Sequence, residues 1–190
     1  MSDLPDLSLA HFQLLLALAV FAAAVHAYRK LSPFFCVTWF GAGLAFGYLW
    51  TDARPSAEVL LMPVLVIYLS AALAKGLIET RGALAGNHLV HVLLTGFLAG
   101  LVALPLEAVC QAQGWPVPRP ASRALWGLDP SWLGGPSMDA VWLWACIGLV
   151  FYGTYKVLDH IGLSHTWQTP LLFASLPLQV RVIEHLHGLA

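Results

Sequence analysis

A polytopic bundle of transmembrane helices is the all-α fold that this sequence predicts, and three observations predict it. Asp, Glu, Lys and Arg together make up 10% of the 190 residues, against about 25% in a soluble domain. Apolar residues make up 59%. Several apolar stretches reach the ~20 residues that a helix needs to cross a ~30 Å hydrocarbon core. Backbone groups in lipid must bond internally, so the spans are helices or a closed barrel. Barrel strands alternate polar and apolar residues, whereas runs such as Leu14–Val25 and Val92–Val109 are continuous. The chain reads as a single integral membrane domain of five to six spans, residues 1–190.

The first helix runs from Leu9 to Tyr28 and is followed by Arg29 and Lys30. Ala22, Ala23 and Ala24 near its end resemble a signal-peptide cleavage region. The segment before the helix, however, carries Asp3 and Asp6 and no basic residue. A signal peptide has a positive amino-terminal region, so the run reads as a retained helix. After Pro33 the second helix runs from Phe34 to Trp50, with Gly43 and Gly47 at GxxxG spacing. Small residues one turn apart let another helix approach closely. A polar turn over Thr51–Ser56 precedes the third helix, Ala57 to about Ile78, which contains Pro63. Glu79–Asn87 is a glycine-bearing loop.

The fourth helix, His88 to about Cys110, carries a second GxxxG pair, Gly96 and Gly100, and is loosened towards its end by Pro105. Residues 111–138 hold five of the twelve prolines and three of the eight tryptophans: Trp115, Trp126 and Trp132. Tryptophan favours the membrane–water interface, so this segment reads as an interfacial cap. The fifth helix runs from Asp139 to Leu158. A sixth, Trp167 to Val182, is less apolar, with Gln168, Gln179 and Arg181.

Arg29, Lys30, Lys75, Arg81 and Lys156 fall on one side of this topology, and Arg54, Arg119, Arg123 and Arg181 on the other. The positive-inside rule then places the N-terminus and the capping segment on the non-cytoplasmic face, in a membrane of the bacterial inner type. A net charge of -1 and the lack of any basic block exclude nucleic acid as a partner. Membrane lipid, a lipophilic small molecule, a second copy or a membrane complex remain. Cys36, Cys110 and Cys146 show no CxxC spacing and read as buried apolar side chains.

Ionisable groups cluster at the two membrane faces. On the cytoplasmic side lie His26, His88, His91, His160 and His165, with Glu79 and Asp159. Imidazole is the commonest metal ligand, so these five histidines are a candidate metal or haem site. On the other side lie Asp52, Arg54, Glu58, Glu107 and Asp139. Glu107 has apolar neighbours on both sides. A carboxyl group in such surroundings resists ionisation and can serve as a general acid. Asp52, Glu58 or Asp139 would be its ionised partner, orienting water or stabilising a cation. Trp115, Trp126, Trp132 and Trp142 are candidate substrate contacts, because aromatic faces attract a carbocation. His88 and Glu107 are 19 residues apart on one helix, roughly 28 Å at 1.5 Å per residue. The two clusters are therefore separate sites.

Glu107, Gly114-Trp115-Pro116, Gly134-Gly135-Pro136 and the apolar helix bearing Trp142 and Trp144 follow one another in this order. That stretch resembles part of the integral-membrane carotenoid biosynthesis family that includes the carotenoid hydratases. In that family a Glu, a Gly-x-Pro and a Gly-x-Pro-like turn fall in the same order between two helices. The resemblance implies an isoprenoid substrate and acid-catalysed hydration or cyclisation at a double bond, a lyase-type activity. Glu107 would be the acid, and no cofactor would be needed. Two other readings stand beside it: a metal- or haem-binding protein of electron transfer or oxidation built on the histidines, and a non-catalytic subunit of a membrane complex.

Overall fold

The computed structural model of the chain describes residues 8–30, 33–49, 56–80, 86–115 and 138–186. These form six helices: α1 (Leu9–Lys30), α2 (Pro33–Leu49), α3 (Ala57–Glu79), α4 (His88–Ala112), α5 (Met138–His160) and α6 (His165–Leu186). No strand occurs among the described residues. The boundaries lie within a few residues of those expected from the apolar runs. Pro63, Pro105, Pro170 and Pro177 all lie inside helices.

Helices α1, α3 and α4, and α5 from Ala140, are each long and apolar enough to cross a membrane. Helix α2 has 17 residues, roughly 25 Å at 1.5 Å per residue, which falls short of the ~30 Å core. Helix α6 is long enough, at 22 residues, but carries Gln168, Gln179, Arg181 and Glu184.

The helices close a ring in the order α1, α2, α6, α5, α4, α3, with α3 also packed against α2 and touching α5. Helix α3 is accordingly the most enclosed, and Met62 to Tyr68 are buried without a break. Elsewhere the outward residues form rows of large apolar side chains at helical spacing. Leu69, Leu73 and Leu77 make one such row, and Leu89, Leu93, Phe97 and Leu101 another. Faces of this kind are solvated by lipid tails and would associate in water. Inside, Trp39, Phe46 and Phe151 pack edge to face, with ring centroids 5.4 and 6.2 Å apart.

Both GxxxG pairs lie at helix contacts. A Cβ on Gly43 would stand 3.0 Å from a Val64 methyl, and one on Gly47 3.1 Å from the Val59 carbonyl, both on α3. A Cβ on Gly96 would meet Leu149, and one on Gly100 would meet Val141, both on α5. Gly148 of α5 returns the contact, its own Cβ position lying 3.1 Å from the Gly96 Cα. The α4–α5 seam is therefore a close backbone approach of the kind that small residues permit.

The ends of α4 are capped at both sides. Asn87 Oδ1 accepts the Val90 N–H at 3.2 Å, satisfying one of the free donors of the first turn. At the other end Gly114 has φ +66°. The Trp115 N–H donates to the Cys110 carbonyl at 2.8 Å, and the Gly114 N–H to the Gln111 carbonyl at 3.1 Å. This is a Schellman close, which needs a left-handed residue and selects glycine. It folds Trp115 back over the end of the helix that carries Glu107.

Candidate active site

Glu107 is 1% exposed and Glu58 0% exposed. Each carboxyl group has a side-chain donor from a different helix. The Trp144 indole N–H of α5 donates to Glu107 Oε1 at 2.6 Å. The Gln13 amide of α1 donates to Glu58 Oε2 at 2.6 Å. The buried Cys110, one turn beyond Glu107, lies within electrostatic reach of both carboxyl groups. Four helices thus converge on one end of the bundle, with Glu58 from α3 and Glu107 from α4 as its acidic pair.

The local reasons differ for the two acids. Glu58 stands in the first turn of α3, where backbone N–H groups without helical partners complement a carboxylate. Its Oε1 is buried with no hydrogen-bond partner among the described residues. Glu107 stands inside α4, before the Schellman close, and faces α5 across the glycine seam. A buried acceptor left without a donor costs about 1–3 kcal/mol, so the Trp144 N–H fixes which face of α5 turns inward.

Aromatic rings enclose this end. Trp115 packs against Phe12 with ring centroids 5.0 Å apart and ring planes tilted by 36°. Phe12 is the neighbour of Gln13 on α1 and is itself buried. The Trp115–Phe12 pair therefore ties the end of α4 to α1, whose Gln13 bonds Glu58.

The other expected residues take varied places. Trp142 is exposed, and its indole N–H reaches the Leu186 carbonyl of α6 at 3.4 Å. Residues two apart on a helix point to different faces; with Trp144 turned inward, Trp142 points out. Asp139 is in the first turn of α5, and its side chain lies outside the described residues, as do Asp52, Arg54, Arg119, Arg123, Trp126 and Trp132. Gln13, Cys110 and Trp144 join the site without having been singled out for it. A lone Gln within the apolar run of α1 was the one signal for Gln13. Nothing in the even apolar sequence of α5 distinguished Trp144 from Trp142 as the inward ring.

The described histidines of the opposite end make contacts with different neighbours. The His26 ring is bonded to the Tyr68 hydroxyl at 2.6 Å, joining α1 to α3. His88 of α4 and His160 of α5 meet edge to face with ring centroids 5.7 Å apart. His91 is half-buried, and the side chain of His165 lies outside the described residues. Among the described residues no three His, Cys, Asp or Glu side chains come together as a group that could hold a metal ion. Comparison of the chain with protein-family models, with curated proteins and with solved structures found no match.

Proposed function

We propose that this chain is an integral membrane enzyme that protonates a carbon–carbon double bond of a lipophilic, isoprenoid-type substrate, with Glu107 as the proton donor. The burial of Glu58 and Glu107 together at one end of an apolar bundle carries this reading. Buried charges are rarely an efficient source of stability, because apolar side chains of similar volume serve as well or better. Acidic side chains at membrane depth are functional candidates by default.

The chemistry suits the setting. Protonating an alkene carbon generates a carbocation, so the barrier falls where a positioned acid and a preorganised environment meet the developing charge. The rings of Trp144, Trp115 and Phe12 at this end offer π faces to a cation. The likeness of residues 107–144 to the carotenoid biosynthesis family implies the same chemistry, with no cofactor.

In this reading the protein has five or six spans, with the N-terminus and the acid pair towards the non-cytoplasmic face. Between Pro170 and Leu178 the exposed residues of α6 are all apolar, while Gln168 and Gln179 are buried. Their amides bond to the Leu163 carbonyl and the Ser175 hydroxyl. Helix α6 therefore turns an apolar side outward, as a span does. Cysteines introduced at Arg29 and Trp126 are expected to label from opposite faces with a membrane-impermeant thiol reagent; labelling from one face rejects this topology.

The activity is tested directly in D2O. Purified protein in lipid nanodiscs loaded with squalene, an acyclic isoprenoid, is expected to place deuterium on carbon above the level of protein-free discs. Mass spectrometry of the extracted lipid reads the result. No deuterium above that level rejects the reading.

A further inference from the structure

The geometry points to Glu58, held by Gln13, as the group that binds and deprotonates a water molecule, so that the reaction ends in hydration and not in cyclisation. This rests on the reading of Glu107 as the acid. Glu58 is wholly buried, yet Gln13 occupies only its Oε2. Oε1 is buried without a hydrogen-bond partner among the described residues. A carboxylate is an acceptor only and has about four lone-pair positions, so this oxygen suits a ligand that donates. Water is such a ligand; the hydrocarbon of an isoprenoid is not. Glu107 differs in having its Oε1 engaged by the Trp144 indole, which can only donate.

The steps balance. The Glu107 O–H bond breaks as a C–H bond forms at the less substituted alkene carbon, leaving a tertiary cation and a carboxylate. A lone pair of the water oxygen forms the C–O bond, and Glu58 takes the proton that this oxygen sheds. One H2O has been added across the double bond, Glu107 has given a proton to carbon, and Glu58 holds one taken from the water. Transfer of a proton from Glu58 back to Glu107 resets both groups. Cyclisation would need no water acceptor, because a second double bond of the substrate would quench the cation.

Gln13 acts as a positioning residue. Its amide fixes Glu58 Oε2 and thereby the direction of Oε1. The backbone N–H groups of the first turn of α3 complement the charge that Glu58 carries before it takes a proton.

The test uses squalene nanodiscs in water enriched in both deuterium and oxygen-18. Wild-type protein is expected to yield product with one of each. Glu58→Gln is expected still to deliver deuterium to carbon but to lower oxygen-18 incorporation at least tenfold, the cation collapsing back to alkene. Gln13→Met keeps the side-chain length and leaves both carboxyl groups in place. It is expected to raise the deuterium to oxygen-18 ratio in the same direction, and it carries the test if Glu58→Gln does not fold. Equal loss of both labels in the variants, or an unchanged ratio, overturns the role of Glu58. Deuterium without oxygen-18 in the wild type overturns hydration while leaving Glu107 as the acid. Neither label in the wild type removes the acid reading itself.

Discussion

Glu107→Gln is expected to reduce deuterium transfer to squalene by at least about 100-fold, within the range of about 10²–10⁴ that a positioned general acid supplies. Melting in detergent is expected to stay within a few degrees of wild type. The amide has the shape of the acid, and its oxygen still accepts the Trp144 N–H that now reaches Glu107 Oε1 at 2.6 Å. What it loses is a proton acidic enough to transfer to carbon. Glu107→Asp keeps that proton but shortens the reach by one methylene, about 1.5 Å. Because a misplacement of about 1 Å can cost 100-fold, this variant should retain activity well below wild type yet above the Gln variant. An equal rate in wild type and Glu107→Gln would dismiss Glu107 as the donor. A Gln variant that is inactive but also unfolded would show a structural role for the carboxyl group. The paired melting measurement separates these outcomes.

The sequence made the helices legible because lipid imposes a simple rule. A span must be long, apolar and helical, and the runs at α1, α3, α4 and α5 meet that rule residue by residue. Capping chemistry was less visible: Gly114 read as one residue of a glycine- and proline-bearing segment, and only the backbone shows it closing α4 and folding Trp115 over Phe12. The acids were legible as exceptions in apolar runs. Their partners were not, since a membrane helix is apolar on every side and its pattern does not tell which face turns inward. Trp142 and Trp144 illustrate the limit. Both lie on α5, and only the α4–α5 packing decides that Trp144 meets Glu107 while Trp142 faces out. The histidines show a related limit. Their similar depth was legible, but depth says nothing of azimuth, and only the structure shows that His26 bonds to the Tyr68 hydroxyl and that His88 meets His160.

Gly100→Leu is expected to lower the melting temperature in detergent by roughly 5–10 °C. A Cβ at Gly100 would lie 2.8 Å from the Val141 carbonyl oxygen and 2.9 Å from its Cγ1. The first of these is backbone, held in the hydrogen-bond ladder of α5, so it does not swing aside as a side chain would. The two helices must separate instead. Overpacking of this kind costs about 1–3 kcal/mol or more, and 1 kcal/mol moves the melting point of a chain this size by about 2–4 °C. Gly76 supplies the opposite case on α3, where an added Cβ would meet nothing within 4 Å. Gly76→Ala is expected to melt at or slightly above wild type, because alanine in an open helical position is worth about 0.5–1 kcal/mol over glycine. A difference in sign between the two variants isolates close packing from general glycine propensity. If Gly100→Leu melts with the parent, α4 does not lie against α5 as described, and the Trp144–Glu107 bond that crosses the same seam falls with it. If the packing is right, Gly100→Ala should be a milder version: a smaller drop in melting temperature together with a loss of deuterium transfer, since parting α4 from α5 draws the indole away from the acid it positions.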